Sequence, residues 1–119
     1  YIQTWNKKRL VAKRKKNIEP YFEKLLEYSK KMSAAKEIHE LEDTLNNMMD
    51  MQRRAEKEWI EGKLDTEDME NLYSIYGIRC DNAFNRMSQI QFVKNRQLMQ
   101  QWFESQKKET PQPPNPKSK

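Results

Sequence analysis

The stretch IHELEDTLNNMMDMQRRAEKEWIEGKLDTEDMENL, residues 38–72, decides how this chain folds. Ile38, Leu41, Leu45, Met48, Gln52, Ala55 and Trp59 follow one another by steps of three and four. A strand would repeat every two residues, whereas a three-four repeat puts its members on one helix face. Held over three heptads, it is the a/d seam of a coiled coil. Gln52 is the single polar member and is placed to set register. The pattern predicts a helix from about Ser33, with Ser33 as its N-cap, to Glu61. Gly62 reads as the left-handed residue that ends it.

GKLDTED, residues 62–68, is then a short connection with Asp65 or Thr66 as the next N-cap. Glu67, Asp68 and Glu70 suit the positive end of the following helix dipole. A connection this short makes its two flanking helices antiparallel neighbours. The later helix is expected to run from Thr66 to about Lys108, with Met69, Leu72, Tyr76, Ala83, Met87, Ile90 and Val93 as its seam. Tyr73, Ile75, Ile78, Cys80 and Phe84 widen the apolar stripe in its first half, so that half should touch more than one helix. Gly77 weakens its middle by about 1 kcal/mol relative to Ala and allows close approach of a neighbour.

Upstream, residues 2–31 read as helical, with Pro20 inside. Proline is tolerated in the first turn of a helix, so the simplest expectation is a basic helix to about Lys16, a break near Asn17–Glu19 and a restart at Pro20. After the restart, Tyr21, Leu25, Tyr28 and Met32 form one stripe, with Phe22, Leu26 and Ser29 beside it. The expected fold is therefore all-α: an elongated, coiled-coil-like antiparallel helical hairpin with a third, basic N-terminal helix packed on part of it. Three segments follow: a basic juxtamembrane-like helix over 1–19, the hairpin or bundle over 20–108, and a disordered Pro-rich tail over 109–119. The end of the long helix overhangs unless the first helix lies beside it, and Leu98, Met99, Trp102 and Phe103 on that end are candidate contacts, either for the first helix or for a partner.

Composition supports this architecture. The 119 residues are 35% hydrophobic and 34% charged, with only two glycines, Gly62 and Gly77. Few breaks and many charges favour long helices with a narrow apolar seam. A chain of this kind buries a thin core and gains from a partner or from self-association. The net charge of +5 is unevenly placed. Residues 1–16 hold seven basic side chains and no acid: Lys7, Lys8, Arg9, Lys13, Arg14, Lys15 and Lys16. Residues 17–106 hold 12 basic and 17 acidic residues, a net of −5. A protein that wraps nucleic acid spreads its basic residues over its main face, and this chain concentrates them at its ends.

Catalytic chemistry lacks its parts, so no catalytic, metal or cofactor residue is assigned and the chain is read as not an enzyme. His39 is the single histidine, and its neighbour four residues on, Asp43, makes a solvated helix pair. A di-iron bundle needs two Glu-x-x-His motifs. Zinc needs several Cys or His ligands, and there is one of each. No Gly-rich phosphate loop occurs. Cys80 reads as a packed or half-buried thiol; being alone, it allows no internal disulfide and points to a reducing compartment. Met48 belongs to the seam, whereas Met49 and Met51 either contact the first helix or stay exposed.

The basic start suits two anionic surfaces. Clustered Lys and Arg bind phosphates through counterion release. They also favour anionic lipid, by about 1 kcal/mol per residue close to the membrane. Tyr1 and Trp5 ahead of the cluster favour lipid, because aromatic residues followed by basic ones mark the cytoplasmic edge of a transmembrane span. The opening on Tyr1 rather than Met is read as a segment cut from a longer protein or processed, as if just after such a span. No run of 18 apolar residues or signal peptide lies within the sequence itself.

The order of an aromatic and basic start, EPYFEKLLEYSKK, a heptad helix and WIEGKLDTEDMENLYSIYGIRCDNAFNRM resembles the cytoplasmic helical extension of membrane-anchored TAXI-type solute-binding proteins of TRAP transporters, over about residues 1–95. The resemblance implies a basic, helical region following a membrane helix, in a transport context. The binding domain of that family is absent, so no ligand residue is carried over. The long third helix and the Pro-rich tail go beyond the family's pattern. The function expected is thus a non-enzymatic, membrane-proximal cytoplasmic helical domain for self-association or protein–protein docking. The alternative is a helical subunit of a ribonucleoprotein assembly that uses its basic arm on nucleic acid. Expected partners are protein, either self or another helical subunit, and an anionic membrane surface, with nucleic acid as the alternative and no small-molecule substrate.

Overall fold

The computed structural model describes the backbone of residues 2–109 and the side chains of residues 4–108. The Pro-rich tail expected over 109–119 lies outside the described residues from 110 onward, as does Tyr1. Among the described residues the fold is all-α: α1 (Ile2–Ala34), α2 (Ile38–Ile60) and α3 (Thr66–Glu109). At about 1.5 Å per residue their lengths are roughly 50, 35 and 66 Å. Such unequal helices cannot overlap along their full length.

Four polar contacts fix the overlap. At one end, Arg14 Nε donates to the Gly62 carbonyl at 3.2 Å and Asn17 Nδ2 to the Lys63 carbonyl at 3.0 Å, pinning α1 to the α2–α3 connection. At the other end, Arg86 Nη2 donates to the Ala35 carbonyl at 3.0 Å and Lys94 Nζ reaches Glu37 at 2.7 Å, pinning α3 to the α1–α2 connection. Hence α1 and α3 run parallel, α2 runs against both, and the three overlap between these two ends. The first dozen residues of α1 project past one end. The last turns of α3 project past the other.

The expected break before Pro20 does not occur: α1 is continuous through it. Pro20 is exposed, on the face opposite Ile18, Leu25 and Met32, all buried. The carbonyl four residues back, which loses its partner, therefore faces water, and packing on both sides of the proline holds the helix together. Ser33 does not cap α2 either; it lies inside α1 and bonds back to the Ser29 carbonyl. Glu37 is the N-cap, and the Glu40 carboxylate reaches back to the amides of Lys36 at 2.9 Å and Glu37 at 3.4 Å, the return half of a capping box. Gly62 does end the hairpin's first helix with φ +79°. Gly77 admits no close neighbour: a Cβ built there meets nothing within 4 Å.

The core runs along the overlap. Leu25, Leu41, Met48, Met51, Met69 and Leu72 are its largest fully buried side chains. α2 buries a second line, Thr44 and Met51, beside its seam, because it faces two helices rather than one. The Thr44 hydroxyl is satisfied by the Glu40 carbonyl at 2.9 Å. The seam of α3 stops at Ile90; Val93, expected to continue it, is exposed, as are Ile78 and Phe84.

Candidate docking surfaces

The seam residues read from the sequence meet in this core. Leu41, Met48, Gln52 and Ala55 of α2 are buried with Met69, Leu72, Ala83 and Ile90 of α3. Ile38, Leu45, Trp59, Tyr76 and Met87 are half-buried against them. Gln52 is 4% exposed, and neither atom of its amide has a hydrogen-bond partner among the described residues. Tyr73 lies at the core's edge, its hydroxyl donating to Glu56 at 2.8 Å. Met49 is exposed and Met51 is buried.

The basic residues of α1 divide. Arg14 is half-buried and committed to the Gly62 carbonyl. Lys7, Lys8, Arg9, Lys13, Lys15 and Lys16 are exposed. Their spacing distributes them around the whole helix rather than along one stripe. Thr4, Lys7, Lys8, Val11, Ala12 and Lys15 form a shallow surface strip in which Val11 and Ala12 are flanked by lysine stems. Lysines can lie along such a strip while their ammonium groups stay at its rim. Arg9 stacks over the Trp5 ring at 5.5 Å. The helix end thus combines a small apolar floor, an aromatic ring and surrounding positive charge.

The far end of α3 is the second surface. Phe92, Val93, Leu98, Met99, Trp102 and Phe103 are 51–69% exposed. α1 does not cover them, because it stops at the α1–α2 connection. Trp102 and Phe103 meet edge to face at 5.0 Å. Phe92 lies off the seam, yet it precedes Met99 by one heptad, a signal the sequence carries.

Other clusters offer less. A cleft of about 330 Å³ between α1 and α3 is lined by Ser29, Met32, Ser33, Asn82, Asn85, Arg86 and Gln89. Its one cation, Arg86, already binds the Ala35 carbonyl. Burial raises the Cys80 thiol above its ordinary value, which outweighs the hydrogen bond from Tyr76, so the thiol is held protonated at neutral pH and is a weak nucleophile. His39 and Asp43 are exposed. Among the described residues no three His, Cys, Asp or Glu side chains gather as metal ligands, and no helix is long and apolar enough to cross a membrane.

Comparison with protein families, with curated proteins and with solved structures finds no match for this chain.

Proposed function

We propose that this chain is a non-enzymatic, membrane-proximal helical docking domain on the cytoplasmic side of a membrane. Its basic helix end meets anionic headgroups, and the opposite end of the bundle receives a protein partner. The observation that carries this reading is the projecting end of α1, where exposed lysines surround Val11 and Ala12 beyond the reach of the bundle. Aromatic and apolar side chains enter the headgroup region while lysine stems bridge to it. The resemblance to the TAXI-type extension adds the transport context.

A second reading, a subunit of a ribonucleoprotein assembly, draws on the placement of positive charge all around the helix, which suits a groove walled by phosphates on both sides. The acidic body, net −5 over residues 17–106, would then face protein.

Vesicle and nucleic-acid binding separate the two. The full chain should bind vesicles containing phosphatidylserine more tightly than neutral ones, and lose that binding with added salt. Replacing Lys13, Lys15 and Lys16 together with Gln should weaken it by roughly a hundredfold, at about 1 kcal/mol per lysine. Arg14 is left in place because it pins α1 to the bundle. Binding to RNA or DNA without binding to anionic vesicles would overturn the membrane reading in favour of the second.

A further inference from the structure

We propose that the projecting end of α3 pairs antiparallel with the same segment of a second copy of this chain. This pairing rests on the reading above that the end of α3 receives a protein partner, and it names that partner.

The first observation is phase. Beyond Ile90, the positions of α3 that continue the bundle seam turn polar, at Lys94, Gln97, Gln101 and Glu104. Phe92, Met99, Trp102 and Phe103 line up instead on a stripe rotated by nearly half a turn, at about 100° per residue. An extension of α1 or α2 along the bundle axis would leave that stripe bare. A helix that covers it must approach from the side, where no helix of the same chain lies.

Charge then chooses among occupants. Residues 97–103 carry no charged side chain, in a chain that is 34% charged. The other projecting end of a second copy, on α1, carries Lys7, Lys8, Arg9 and Lys13 and no acid. It would face Arg96, Lys107 and Lys108 against the single described acid Glu104, a like-charge encounter. The neutral heptad of a second α3 brings no such repulsion.

The area suffices. Phe92, Leu98, Met99, Trp102 and Phe103 are each more than half exposed. Covering them on both copies removes on the order of 1,000 Å² in total, the lower bound for a specific interface. The edge-to-face Trp102–Phe103 pair places the largest aromatic anchors near the centre of that area, where binding energy concentrates.

Sedimentation equilibrium of the full chain, across roughly 1 to 100 μM to bracket a micromolar dissociation constant, tests the pairing. The expected mass rises toward twice 14.5 kDa. Met99→Gln and Trp102→Gln should each weaken the dimer by roughly tenfold or more while leaving thermal unfolding of the monomer unchanged. Orientation is read by disulfide trapping in a Cys80→Ser background. Asn95 and Gln106 both lie on the stripe and stand level across an antiparallel pair, so chains carrying Asn95→Cys should cross-link to chains carrying Gln106→Cys. A monomer at every concentration overturns the pairing, as does a dimer indifferent to both glutamine substitutions. Cross-links of each variant only to itself would overturn the antiparallel arrangement. Vesicle binding by the α1 end is read separately: a monomer that still binds anionic vesicles removes the second copy and leaves the surface reading standing, and a dimer that ignores vesicles does the reverse.

Discussion

Between Met69 and Ile90, α3 buries Met69, Leu72, Ala83 and Ile90; between Phe92 and Phe103 the same unbroken helix leaves six large apolar side chains at least half exposed. The two stretches do not differ in kind of residue. They differ in phase and in company. The first stretch puts most of its apolar side chains where α1 and α2 lie, leaving Ile78 and Phe84 outside. The second turns them to another side, past the point where α1 ends and α2 begins. Apolar content alone therefore says little about burial on a long helix; the neighbours along its length decide it.

The widest separation between the two stretches should come from truncating matched leucines. Leu72→Ala empties a fully buried site and should cost about 3 kcal/mol in urea unfolding. Leu98→Ala, on the projecting end, should stay within roughly 0.5 kcal/mol when measured on the monomer. Equal costs would mean that the end of α3 is packed as well as its beginning.

Pro20→Ala probes the border between the packed and free parts of α1. It restores an intrahelical hydrogen bond and removes the ring clash, so unfolding stability should rise by about 2 kcal/mol. A fall in stability would show that the proline shapes the helix for packing. Gln52→Leu acts inside the core, replacing an amide with no partner by an apolar side chain of similar size. Stability should rise by about 1 kcal/mol. If Gln52 sets register, the gain should come with loss of a single oligomeric state, visible as a broadened mass distribution. Gly77→Ala, facing open space, should add roughly 0.5–1 kcal/mol from helix propensity alone.

The smallest effect is expected at high pH. Burial, helped by a hydrogen bond with Glu58 and that carboxylate's negative charge, pushes the Tyr21 phenol up to about 12 from 10. The unfolded chain ionises first, so this contribution is intact below about pH 10 and is lost as pH rises toward 12. Burial raises Tyr76 and Cys80 in the same direction. Tyr21→Phe should therefore flatten, without abolishing, the alkaline fall in stability followed by thermal unfolding. An unchanged slope would remove Tyr21 as a source of it.

Much of this arrangement was legible in particular residues. The three-four spacing from Ile38 to Trp59, Gly62 and the Asp65–Thr66 pair are local signals, because they depend on one helix turn or one left-handed residue. They were enough for an antiparallel hairpin. Pro20 misled because its cost depends on which way its ring points, and only packing of Ile18, Tyr21 and Leu25 sets that direction. Ser33 misled because its hydroxyl had two local partners to choose from, and the Glu37–Glu40 pair took the cap. Of the candidate surface residues, Arg14 could not be separated from its basic neighbours by spacing. Its carbonyl partner lies 48 positions away.

By itself, then, the sequence determined that this protein is built of long helices, which faces of them are apolar, and that positive charge gathers at its start; these follow from periodicity and composition along one chain. Only the tertiary structure decided that α1 and α3 run parallel and slide past each other, so that one basic and one aromatic helix end project from opposite ends of the bundle. That offset depends on the contacts of Arg14, Asn17, Arg86 and Lys94 with distant backbone and side chains, and on helix lengths that do not match, which no local pattern encodes.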